Sequence, residues 1–251
     1  MAKVIAPFKI VGTLEDLNFY IDENDINRVR MKGKTGVSSK EFRSNPVFQK
    51  IRNQGTEFGH CAKVGVQFRM LANQFNLRAK DGSFAGRANK LLFEILQEDT
   101  GNEQGKRTVA NGIDTPEGKL QFVGFEGNKL RPLSNVLKTK WIWENQEGIF
   151  KIPKFNPLKL LDWPELANQV HLAVARTNWN YKENTFNTTY SEEITYPKEA
   201  IKIDIDLKLE IPEGNNLQMV YLFIGFSIKD KKRTIPLKRK YNTVTLIVVI
   251  P

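Results

Sequence analysis

The chain has 251 residues, 40% of them hydrophobic and 26% charged, with a formal net charge of +10. That length supports one large domain or two modest ones, each with its own core. The single cysteine, Cys61, excludes an intramolecular disulfide and a multi-cysteine metal site, in keeping with a reducing, cytoplasmic location. The start, Met1 to Lys9, has no apolar run of secretory length, and the longest apolar stretches, Met219–Phe226 and Thr243–Ile250, fall far short of the about 20 residues of a membrane span. No membrane insertion is expected.

In chain order, Phe8 to Lys32 reads as a three-stranded meander. Its apolar positions are Phe8 and Ile10, then Leu14, Leu17, Phe19 and Ile21, then Ile26, Val29 and Met31, separated by Gly12-Thr13 and Asp22-Glu23-Asn24-Asp25. Gly33-Lys34-Thr35-Gly36 follows as a polar loop. It lacks the first glycine of a phosphate cradle, and the next helix starts about ten residues later. From Phe48 to Phe75 the apolar spacing changes to about 3.6 residues, predicting a helix capped by Ser44 or Asn45 with Pro46 in its first turn. Gly55, Gly59 and Gly65 inside that helix each cost about 1 kcal/mol relative to alanine. They are candidates for close packing against a second helix, or for a kink near Gly55.

The second helix starts at Ser83, carries Phe84, Ala88, Leu91, Leu92, Ile95 and Leu96, and ends at Asp99-Thr100-Gly101, completing an αα-hairpin. A Gly, Asn and Pro-rich stretch to Gly118 precedes a predicted strand over Leu120–Asn128. Beyond a boundary near 128–140, strand signals dominate. Lys138–Phe150 alternates around Trp141 and Trp143, Val170–Val174 alternates again, and Ile201–Ile211 alternates strictly between apolar and charged residues. Met219–Ile228 and Thr243–Ile250 read as doubly covered strands. The expected fold class is therefore α+β: residues 1–130 form a β-meander with an αα-hairpin, and residues 131–251 form an antiparallel β-sandwich, Ig-like or jelly-roll-like.

The charge excess is even along the chain, +5 in residues 1–115 and +5 in 116–251, except at one point. Lys229, Lys231, Lys232, Arg233, Lys238, Arg239 and Lys240 face only Asp230 within twelve residues. Such a hairpin could hold several phosphates with salt-dependent affinity, or simply keep an apolar strand pair apart from its neighbours. Trp141, Trp143, Trp179 and Tyr181 are candidates for an aromatic surface for sugars or peptides, with core packing as the alternative.

Catalytic signals are absent. His60 and His171 have no metal-ligand spacing, neighbouring His60 and Cys61 cannot pair on a helix, and no nucleotide-binding or nucleophile-elbow motif occurs. Asp204 and Asp206 share a strand face, but Lys202 and Lys208 flank them as in a balanced surface. No cofactor, metal or catalytic residue is expected.

Residues 1 to about 128 resemble an uncharacterised protein family of Bacteroidota. The likeness rests on FKIVGTLEDLNFY (Phe8–Tyr20), the Arg28 region, NPVFQKIRNQGTEFG (Asn45–Gly59), VQFR (Val66–Arg69) and GFEGN (Gly124–Asn128). It implies a bacterial source and a shared N-terminal fold, and brings no activity or site residues.

Three functions follow. The leading one is a non-enzymatic structural or assembly protein working through contacts with copies of itself or another protein. The second is a nucleic-acid-binding protein using 229–240 together with Arg43, Lys50, Arg52, Lys63 and Arg69, and the third a carbohydrate- or peptide-binding module. A deep cleft in which His60, Cys61 or His171 meets a carboxylate would argue for an enzyme instead.

Overall fold

A computed structural model describes residues 2–33, 36–231 and 233–250. Lys34 and Thr35, in the loop weighed above as a phosphate cradle, lie outside them. The chain divides into two units, residues 1–49 and 50–251. Residues 50–130 thus belong to the same unit as residues 131–251, and the expected boundary near 130 falls inside it.

The first unit contains β1 (Ala2–Lys3), β2 (Gly12–Leu14), β3 (Leu17–Ile21), β4 (Asn27–Met31) and α1 (Ser39–Ser44), then a 3-10 turn at Pro46–Phe48. A three-stranded meander forms as β2, β3 and β4, with β1 added outside β4 to give the order β1-β4-β3-β2, but its first turn is shifted: Phe8–Ile10 is not a strand, Gly12-Thr13, expected as a break, lies in β2, and the chain turns at Glu15-Asp16, where Glu15 has φ +51°. Polar groups fix its turns. Asp22 Oδ1 accepts the N–H groups of Asn24 and Ile26, and its Oδ2 accepts from Arg28 Nε at 2.5 Å. Asn27 holds the preceding segment through bonds to both the N–H and C=O of Ile10. Asn45 caps the 3-10 turn through Val47 N–H, as its position before Pro46 predicts.

The second unit opens with α2 (Gln49–Met70), α3 (Asn73–Ala79), α4 (Phe84–Gln97), α5 (Val109–Asp114), α6 (Pro116–Leu120) and α7 (Leu133–Val136). It continues with β5 (Ile142–Glu144), β6 (Ile149–Phe155), α8 (Pro157–Leu160), β7 (Gln169–Asn180), β8 (Thr185–Tyr190) and β9 (Ile194–Pro197). β10 (Ile203–Lys208), β11 (Leu217–Asp230), β12 (Arg233–Pro236) and β13 (Thr243–Ile250) complete it. β11 pairs with β7 on one edge and with β13 and β12 in succession on the other; β7 in turn carries β8 and β9. A second sheet has the order β10-β6-β5.

Side-chain alternation along β7 and β11 sends two sets of apolar residues to opposite faces. Val170, Leu172, Val174, Val220, Leu222, Ile224 and Phe226 meet the β10-β6-β5 sheet, forming the expected antiparallel sandwich. Ala173, Ala175, Met219, Tyr221 and Phe223 meet Phe68, Phe75, Leu92 and Ile95 of the helices. The near-continuous burial of Val170–Trp179 and Leu217–Ser227 follows from this double cover. Residues 120–128, predicted as a strand, are a correction. They begin at the end of α6, turn at Gly124 (φ +82°), and lay only backbone bonds from Gly124, Phe125 and Gly127 along the β13 edge. Among the described residues, no helix is long and apolar enough to cross a membrane.

Candidate functional site

The basic segment forms the hairpin of β11 and β12, paired from Ser227↔Pro236 to Asp230↔Arg233. Lys231 at its turn takes a left-handed backbone (φ +46°), which an L residue adopts at a cost of about 1 kcal/mol or more. Asn168 fixes the base, accepting from Lys229 N–H at 2.7 Å and donating to Lys229 C=O at 3.0 Å. Lys229, Lys231, Arg233, Lys238, Arg239 and Lys240 are exposed, and Lys240 Nζ stands 4.9 Å from the Tyr241 ring centre. Lys232 lies outside the described residues. The sequence therefore found this charge cluster and its hairpin placement.

The helix glycines divide. A Cβ on Gly65 would lie 2.4 Å from Asn89 Oδ1 of α4, so close approach holds there. At Gly55 and Gly59 it would meet nothing within 4 Å, and α2 runs through them unbroken, so neither close packing nor a kink occurs. Gly55 instead floors an open groove of about 490 Å³ with Ile51, Phe58, Gly86 and Phe93. The two tightest helix contacts were missed: a Cβ on Gly112 would sit 2.0 Å from the Ile95 carbonyl oxygen, and one on Gly118 2.0 Å from that of Gly112.

The expected aromatic surface is a correction as well. Trp179 is fully buried in the helix-side core against Phe68 and Phe122, and Tyr181 packs edge-on to it while donating to Asp114 at 2.5 Å. Trp141, stacked on Phe150, and Trp143 belong to the other core. Trp141 and Trp143 come from the β10-β6-β5 side and Trp179 and Tyr181 from the helix side of the central sheet, in separate cores, so they share no platform.

Of the groups weighed for chemistry, Cys61 is fully buried, and burial pushes its thiol up to about 12. His60 Nε2 accepts from Val109 N–H at 3.2 Å, a cap for α5, and burial lowers its pKa. Asp204 accepts from Lys154 N–H at 2.7 Å, at a bulge between β6 and β10. Among the described residues, no group of three or more His, Cys, Asp or Glu could hold a metal ion.

His171 does meet a carboxylate. Its Nδ1 is 3.0 Å from Glu193 Oε1 and from Thr195 Oγ1, and its Nε2 is 2.7 Å from Ser227 Oγ. Arg78 forks onto the same Glu193 carboxylate and covers the Phe223 ring at 4.2 Å. Burial pushes the Glu193 carboxyl up, but its bonds from His171 and Arg78 outweigh this and hold it at about 2. The connectivity is that of a nucleophile, base and orienting acid, yet acyl transfer needs an accessible Oγ and free N–H groups facing the oxyanion. Ser227 is fully buried, and it lies mid-strand, in register with Gln169 on one side and Pro236 on the other. The network therefore ties β7, β9, β11 and α3 together. Its sequence signal was a polar residue inside each of two apolar runs, His171 in Val170–Val174 and Ser227 in Met219–Ile228.

Comparison with protein-family models, with curated proteins and with solved structures finds no match in any of the three.

Proposed function

We propose that this chain is a non-enzymatic assembly protein that associates with copies of itself through its N-terminal unit. One observation carries the reading. Among the described residues of 1–49, no large apolar side chain is buried, while Ile5, Phe8, Val11, Leu14, Leu17, Ile21, Met31, Phe42 and Val47 are exposed. At roughly 150 Å² for a large side chain, weighted by their exposures, they present roughly 800 Å² of apolar surface. A standard protein interface takes about that much from each partner.

Charge favours a second copy as the occupant. Residues 1–49 hold eight basic and six acidic residues, net +2, whereas residues 50–251 carry the remaining +8 of the +10 total. Copies can therefore approach through the nearly neutral unit at the least electrostatic cost. β2 and β1 also end the four-stranded sheet with unpaired edges, identical in every copy.

Light scattering tests this. The expected mass is a multiple of 28.8 kDa that is insensitive to salt and falls toward 28.8 kDa in Phe8→Asp/Val11→Asp. A monomer at every concentration would overturn it. The non-enzymatic part is tested by a fluorophosphonate probe, which should leave Ser227 unlabelled; labelling abolished by His171→Ala would contradict it.

A further inference from the structure

The fold assembles more cations around the 229–240 hairpin than the sequence segment contains. Asn128 Nδ2 donates to the carbonyls of Arg239 and Asn242, at 3.2 and 2.7 Å, and Asn242 Nδ2 donates to the Arg78 carbonyl at 2.8 Å. These bonds draw the end of α3 and the loop after Asn128 against the 239–242 turn. The chain at Lys80 and at Lys129 is thereby brought close to the 239–242 turn, although more than 100 residues separate it from that turn in sequence.

These cations differ from four arginines of the unit in having no ion-pair partner. Arg78, Arg87, Arg107 and Arg131 all hold carboxylates. Among the described residues, no carboxylate lies within ion-pairing distance of Lys80, Lys129, Lys229, Lys231, Arg233, Lys238, Arg239 or Lys240. At the hairpin base a groove of about 690 Å³ sets Lys198 and Lys229 beside Gln169, with Glu199 also in its lining. The strand ladder and Asn168 hold the backbone from which these cations project.

We infer that this composite face binds the phosphodiester backbone of a nucleic acid. Clustered unpaired cations release counterions from a polyanion on binding, and the Gln169 amide can add a neutral phosphate contact. A lipid surface fits less well. Among the described residues, the large apolar side chains exposed next to these cations in the chain are Ile235 and Leu130, a small area, whereas interfacial membrane binding draws on buried apolar area as well as charge.

The experiment is fluorescence anisotropy of a labelled single strand of about 16 nucleotides with the full chain, titrated at several salt concentrations. With about six phosphates neutralised, the association constant should fall about 300-fold between about 50 and 200 mM salt. Lys229→Ala/Lys231→Ala/Arg233→Ala should reduce the slope of log K against log salt by about 2, and Lys80→Ala/Lys129→Ala by about 1.4. Lys140→Ala/Lys208→Ala, two exposed lysines elsewhere, should leave it unchanged. All are surface positions, and circular dichroism checks that each variant folds.

No binding at about 50 mM salt overturns the proposal. So does a control variant as damaging as the hairpin variant, or binding to phosphatidylserine-containing vesicles without binding to the oligonucleotide. An unchanged slope in Lys80→Ala/Lys129→Ala overturns the composite face. None of these readouts depends on whether the chain self-associates.

Discussion

In residues 1–49 the one buried side chain among the described residues is the polar Asn27, whereas residues 50–251 bury two apolar clusters, one on each face of a central sheet. The first unit is held by turns, caps and an asparagine staple; the second by the exclusion of water. Hydrogen bonds exchanged with water contribute about 1 kcal/mol each at best, and a small sheet without a covered face is marginal alone. Apolar residues at similar spacing therefore have opposite consequences in the two regions, core in one and contact surface in the other.

The contrast breaks if truncation costs the same in both. Phe223→Ala, which removes a fully buried ring stacked on Phe75, should lose about 3–5 kcal/mol in chemical denaturation. Phe8→Ala should change the same midpoint by no more than about 0.5 kcal/mol in dilute solution. Equal losses would mean that the first unit has a core after all.

Polar anchoring of the second unit sharpens the comparison. Glu57, fully buried, accepts from Arg107 Nε and Nη2 at 2.8 Å and from Gly105 N–H at 2.7 Å, holding the 101–108 loop onto α2. Glu57→Ala strands the guanidinium and should cost about 3 kcal/mol, read as a lower denaturation midpoint.

Asp81 should have the next largest effect. Burial pushes its carboxyl up, but bonds from Arg87, the Lys129 N–H and Ser83 prevail and hold it at about 2, against 3.8 for a free side chain. Its folded pKa is depressed, so its contribution is full above about pH 4 and is lost as pH falls through about 2. Asp81→Asn should abolish about 2 kcal/mol of acid-dependent stability, visible as a flatter profile of stability against pH between those limits.

The smallest effect has the opposite sign. Gly55→Ala fills open space on a helix and should raise stability by about 0.5–1 kcal/mol, whereas Gly112→Ala drives a Cβ into the Ile95 carbonyl and should lower it. A thermal melt of the two variants separates them.

Local pattern was legible where one periodicity ruled a segment. The strict alternation of Ile201–Ile211 predicts a strand with one face buried; the strand forms over Ile203–Lys208, and its burial follows that alternation. Asn45-Pro46 marks the 3-10 turn that leads into α2, though not α1 before it, and the apolar runs of β11 and β13 announce double cover. Long-range placement was not legible. Leu120–Asn128 has the apolar content of a strand, but Phe122 and Phe125 point into the helix-side core and Gly124 turns the chain. The His171 network joins residues up to 149 positions apart through antiparallel register, which no local spacing encodes. Of the candidate surfaces, the hairpin charge was readable from seven clustered symbols, while its extension to Lys80 and Lys129 depended on where Asn128 and Asn242 form their bonds.

Hydrogen exchange of the backbone amides of β2, β3 and β4, followed as a function of protein concentration, tests the central claim most directly. Self-association through the apolar N-terminal surface predicts weak protection at high dilution that rises with concentration in step with the oligomer, while β7 and β11 stay protected throughout. Protection of Gly12–Met31 that is strong and independent of concentration would contradict it.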